Sequence, residues 1–209
     1  MSKSLGNVVN PLDLIADYGV DAVRFYLMRE MVLGLDANFT PESFIKCYNS
    51  DLANDFGNLL NRVSGLIQKN HNGQIPEPGI LTPAEEEIKK QADALPNRVK
   101  DLISAFKVQE AVTSVLNFVQ VLNKYMELQA PWKLAKTDMP AANRVLYAAA
   151  EGLRIATIML APVMPEKTAE VLDILGGSET LPIWGQLKPG TVLRKHPPLF
   201  PRIEVDRSL

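Results

Sequence analysis

Three short segments carry side chains whose types and spacing could do chemistry. At the start, MSKSLGN sets Lys3 between Ser2 and Ser4, with Gly6 close by. An ammonium on a loop of small residues suits the neutralisation of phosphate charge, because Lys is a mobile point charge with three donors. Ser, Lys and Gly at a chain start are more often a disordered leader, and the heptapeptide alone favours that plainer account.

The second segment, DLANDFGNLLNR, crowds Asn54, Asn58, Asn61 and Arg62 around Gly57 within a helical pattern. Asn and Gly are poor helix-interior residues, so their density there points to a purpose other than helix stability. Asn58 and Arg62 stand four apart and share a face. An amide beside a guanidinium makes a donor and acceptor array that fits the edge of a nucleic-acid base; a solvated face, or an Asn satisfying a buried turn, fits the same residues equally well. The third segment, QAPWKLAK, places Trp132 after a helix-ending Pro131 and before Lys133 and Lys136. An indole on a rigid turn can stack on a base while the two ammonium groups meet phosphates. A buried core Trp is the commoner reason for a lone Trp near helices.

The elements that must position these groups are helices. From Leu12 to Leu175 apolar residues recur at three- and four-residue spacing, and no long β-branched run alternates with polar residues, so the fold class is mostly α. The pattern predicts helices over 12–18 and 20–32, with Asp21 able to cap the second and Val23, Tyr26 and Leu27 on its apolar face. Thr40 and Pro41 open a helix to about Tyr48, and a longer helix covers roughly 50–69. Two Gly and two Pro in 70–79 make a loop. Thr82, Pro83 and Glu85 to Glu87 start a helix that continues to about Ser104, with a bend near Pro96. A long helix ends before Pro131, and two more cover about 140–160 and 165–175. Beyond Gly176 and Gly177 the sequence turns irregular and proline-bearing, which predicts an extended strap anchored by Trp184, Leu199 and Phe200.

Composition sets the outer limits. The 209 residues are 46% hydrophobic and 22% charged, an ordinary globular balance that excludes collagen-like, disordered and disulfide-rich classes. Lys and Arg number 22 against 24 Asp and Glu, so nothing suggests electrostatic wrapping of nucleic acid, although net charge says nothing about one small reading site. One Cys and two His allow no disulfide and leave too few ligands for structural zinc. With no membrane-length apolar run and no signal-peptide core, the expected location is cytoplasmic, and the expected membrane contact is none.

The three segments also occur in a recognisable order. MSKSLGN resembles the end of the class I aminoacyl-tRNA synthetase signature loop, and DLANDFGNLLNR with NKYMELQAPWKLAK resembles the anticodon-binding helix bundle of methionyl-tRNA synthetases. LAPVMPEKTAEVL and PPLFPRIE fit the same family, so the resemblance runs through essentially the whole chain. It implies that Lys3, flanked by Ser2 and Ser4, contacts ATP phosphates and stabilises the pyrophosphate leaving group as methionine is adenylated. It implies too that Asn58 and Arg62 read the first anticodon base, a cytosine, and that Trp132 stacks on it. Asn54 and Asn61 neighbour the pair without a secure match.

The expected division is a signature-loop and stem-contact segment over 1–35 and an α-helical anticodon-binding domain over 36–209. The Lys that precedes MSKS in the family is not in this sequence, nor is a nucleotide-binding βαβ pattern, a HIGH-type motif or a methionine pocket. The chain thus reads as the C-terminal part of a synthetase whose full-length form uses ATP and Mg, with neither expected on this part alone. Its expected partners are the anticodon stem-loop of tRNA(Met) and the N-terminal catalytic domain of the same protein. A Lys loop without its opposite wall cannot orient the reactants, so the chain alone is expected to be inactive. Two rivals remain: an anticodon-binding domain of another class I synthetase, such as those for cysteine, valine, leucine or isoleucine, and a helical protein-interaction module.

Overall fold

The computed structural model describes residues 11–36, 39–177 and 181–204. These described residues are mostly helical, and the β structure among them is one isolated bridge, Gln74 with Val192. Helix α1 spans Pro11–Tyr18 and α2 spans Val20–Glu30. A long rod comes next, made of α3 (Pro41–Cys47), a π-helical stretch (Tyr48–Gly57) and α4 (Asn58–His71). Then come α5 (Pro83–Ser104), α6 (Val108–Gln129), the short α7 (Pro131–Leu134), α8 (Met139–Leu160) and α9 (Pro165–Ile174).

The helix starts follow the capping residues. Thr40 accepts from the Ser43 N–H at 3.1 Å, with Pro41 in the first turn. Thr82 and Glu85 form a reciprocal capping box on α5, which runs on through Pro96. Asp21 caps a different helix from the one expected. It lies inside the first turn of α2, buried, and its carboxylate accepts the Lys167 N–H at 2.6 Å, in the opening turn of α9. Nearby, Arg24 donates to the Val163 and Pro162 carbonyls, so α2 holds the turn before α9 at two points. The apolar face of α2 is Ala22, Val23, Phe25 and Tyr26, and Leu27 is exposed.

α8 is the core of the bundle and packs against α4, α5, α6, α7 and α9. Ala148, Ala149 and Ala150 are fully buried, and these small residues let neighbouring backbones approach closely. Gly152 makes a close approach within α8, for a Cβ there would stand 2.7 Å from a methyl of Leu122 on α6.

The strap returns over this bundle in extended form. Leu199 and Phe200 are buried, and Trp184 is half-buried against the core. The rod departs from the expected pair of separate helices, because the segment between them stays helical with wider turns: the Asn58 N–H reaches back to the Ala53 carbonyl. Apolar periodicity detects a helix but is insensitive to one added residue per turn.

Candidate nucleic-acid interface

Trp132 owes its place to the chain reversal after α6. Ala130 takes a left-handed conformation (φ 46°), the Ala130 N–H closes on the Met126 carbonyl, and Pro131 starts α7. Pro131 is buried, while Trp132 keeps 37% of its surface exposed. The Arg62 guanidinium, from α4, lies over the indole with Cζ 5.5 Å from the ring centroid. A guanidinium at that distance is attracted to the ring face.

Asn58 stands one turn before Arg62 and is exposed, as are Asn54 and Asn61. Lys133 and Lys136 are exposed around α7. The described residues therefore bring Arg62 and Trp132 together from helices far apart in sequence, with amide groups on the same rod and cations beside the indole. Such a surface offers a stacking plane, base-edge donors and acceptors, and charge for phosphate. Ser2, Lys3 and Ser4 lie outside the described residues.

Other residues support this surface without any sign in the sequence pattern. From α6, the Asn123 amide donates to the Asp55 carbonyl at 3.0 Å, and the Gln120 amide donates to the Asp55 carboxylate at 2.8 Å. Both fasten the π-helical stretch just before Asn58. Ser64, two residues past Arg62, donates to the Leu60 carbonyl and lies 3.0 Å from His196 of the strap. Among the described residues no three His, Cys, Asp or Glu side chains converge as a metal site, and no helix is long and apolar enough to cross a membrane.

Known proteins supply the context. Residues 1–64 match the family described as tRNA synthetases class I (M), and residues 75–207 match the anticodon binding domain of methionyl tRNA ligase. The chain is 39% identical over 216 residues to the methionine–tRNA ligase of Caldanaerobacter subterraneus, covering 100% of this chain and 34% of that protein. It is 41% identical over 210 residues to the methionine–tRNA ligase of Deinococcus radiodurans, covering 98% of this chain and 31% of the other. Its fold is similar to that of Mycobacterium tuberculosis methionyl-tRNA synthetase in complex with methionyl-adenylate, with a TM-score of 0.92 and 36% identity over 97% of this chain and 41% of that one. The apo form of the same synthetase gives a TM-score of 0.90 at 33% identity, over 95% of this chain and 42% of the other. The chain spans about a third of the length of these curated relatives. With one family covering its first 64 residues and the other covering 75–207, this chain belongs to the methionyl-tRNA synthetase family, of which it carries the anticodon-binding domain and the adjoining class I segment.

Proposed function

We propose that this chain reads the CAU anticodon of tRNA(Met) for a methionine–tRNA ligase. Trp132 stacks on the first anticodon base, and Asn58 and Arg62 hydrogen-bond the edge that identifies it as cytosine. The observation that carries this reading is the Arg62 guanidinium lying over a Trp132 ring that remains partly exposed. That pairing also favours RNA over the protein-interaction rival, which needs Trp132 in the core. Residues 36–209 form the anticodon-binding unit, and 1–35 form the signature-loop and stem-contact segment, joined to it through α2.

In the full-length enzyme, Lys3 with Ser2 and Ser4 neutralises ATP phosphates and steadies the departing pyrophosphate. ATP supplies the activated phosphorus that methionine attacks. The described residues offer no converging donor set for magnesium. Without a catalytic body to orient methionine and ATP, the chain alone does not form methionyl-adenylate, and methionine-dependent exchange of pyrophosphate into ATP should be absent. The setting is cytoplasmic.

Binding of RNA hairpins with CAU and UAU anticodons, titrated at two salt concentrations, tests the anticodon reading. The chain should prefer CAU, and binding should weaken with salt through its phosphate contacts. Stacking and a paired base edge are each worth about 1–3 kcal/mol. Trp132→Ala should therefore weaken binding by roughly tenfold or more, and Arg62→Ala should erase the preference for C. A preference unchanged in both variants would overturn the assignment.

A further inference from the structure

The wide turns just before Asn58 are held open by parts of the chain far from them. π-helical turns occur chiefly as single insertions at functional sites, because their geometry is unfavourable unless other contacts offset it. Here the stretch covers ten residues, Tyr48–Gly57. Gly57 closes it, and a Cβ on Gly57 would stand 2.9 Å from the Leu52 carbonyl oxygen, too near for any side chain.

Phe200 of the strap covers the same place. Its atoms lie 3.8 Å from the position a Gly57 Cβ would take. Its ring meets Tyr48 edge-on, with centroids 5.9 Å apart, and Phe56 at 6.3 Å, so one side chain touches both ends of the stretch. Three residues on, Asn49 pairs with both the N–H and the carbonyl of Ile203, each at 2.9 Å, as a neighbouring strand would. Asn123 and Gln120 of α6 hold Asp55 within the same stretch.

The consequence is directional. An α-helix holds 3.6 residues per turn and the wider turn holds more, so ten such residues rotate everything after them away from where an unbroken α-helix would aim it. Asn58 is the first residue after that rotation and Arg62 stands one turn further on, and at the resulting angle the Arg62 guanidinium lies over the Trp132 ring. We propose that Gly57 and Phe200 are positioning residues for the Asn58, Arg62 and Trp132 surface, fixing its selectivity for cytosine without touching RNA. This rests on the anticodon reading above.

The test uses the 209-residue chain, CAU and UAU hairpins, and Gly57→Ala, Phe200→Ala and Phe200→Leu variants. Leu187→Ala, buried at the far end of the strap, serves as a control for lost stability. Gly57→Ala and Phe200→Ala should each lower the CAU-over-UAU affinity ratio at least tenfold, Phe200→Leu should restore much of it, and Leu187→Ala should lower the melting temperature while leaving the ratio alone. In a Trp184→Phe background, the same two variants should leave Trp132 fluorescence more open to acrylamide quenching as Arg62 leaves the ring. A folded Gly57→Ala chain with unchanged ratio and unchanged quenching overturns the proposal. Should the unsubstituted chain show no CAU preference, the anticodon reading fails; quenching alone then decides whether Gly57 and Phe200 hold Arg62 on Trp132, and unchanged quenching overturns that too.

Discussion

At the scale of single residues, the Arg62 and Trp132 contact solves two problems. The guanidinium gains a ring face, worth about 0.5–1 kcal/mol at an exposed site, and the partly exposed indole gains a contact that limits its motion. Asn58 and Arg62 were readable together in the sequence because spacing within one helix fixes a shared face. Their nearness to Trp132 was not, since it depends on how α4 and α7 meet, which no local pattern encodes. Cys47 shows a residue whose chemistry the fold suppresses. Burial pushes its thiol up to about 12, and the negative charges of Asp51 and Glu30 add to the effect. A thiol with a raised value stabilises the fold fully below its ordinary 9.0, and that stability is lost as pH climbs toward 12. Cys47 should therefore resist a thiol-titrating disulfide reagent at pH 8 in the native chain and react promptly in denaturant. Rapid reaction of the native chain would show that the α3 environment opens readily.

At the scale of elements, the helix caps carried most of what could be read in advance. Thr40 with Pro41, and Thr82 with Pro83 and Glu85, mark their helix starts because the chemistry of an N-terminus is local. Asp21 misleads for the same reason: its carboxylate suits a helix N-terminus, but the one it reaches is 146 residues away. Glu85 is more than a cap. Burial raises its carboxyl, but hydrogen bonds from Thr82 and Tyr125 and the Arg144 guanidinium outweigh that and hold it below its ordinary 4.5. Its oxygens accept from the Tyr125 hydroxyl at 2.5 Å and from the Thr82 hydroxyl at 2.6 Å, and Arg144 lies 3.2 Å away, so one carboxylate ties α5 to α6 and α8. A depressed carboxyl contributes stability that is present above its ordinary value and lost as pH falls through its folded value. Glu85→Gln should cost about 1–3 kcal/mol at pH 7, and the gap to the unsubstituted chain should narrow below pH 4.5. Melting curves that stay equally far apart from pH 7 down to pH 3 would remove the ionised carboxylate as the cause.

At the scale of the whole molecule, the strap turns a helical bundle into a closed object, returning residues 181–204 across α8 and along the rod. Its apolar anchors were legible because Leu199 and Phe200 are costly to leave in water. Its polar clamp was not, because Glu151 and Arg154 look like any exposed ion pair on a helix surface until the strap covers them. Both are fully buried. Glu151 accepts the N–H groups of Gly185, Gln186 and Leu187 at 2.8–3.2 Å, and Arg154 donates to the Leu181 and Ile183 carbonyls at 2.9 and 2.6 Å. The pair thus stands in for the backbone partners that an extended segment lacks when no strand lies beside it. Removing one member takes a buried counter-charge from the other, at a cost of about 3–5 kcal/mol, whereas removing both takes away the buried charges together. Glu151→Ala should lower the melting temperature by roughly 6–20 °C and make the bond after Arg194 an early tryptic site. Glu151→Leu combined with Arg154→Met should recover part of that loss. If the double variant melts no higher than Glu151→Ala alone, an uncompensated charge is not the source of the loss, and the pair's hydrogen bonds to the strap supply what hydrophobic packing cannot replace.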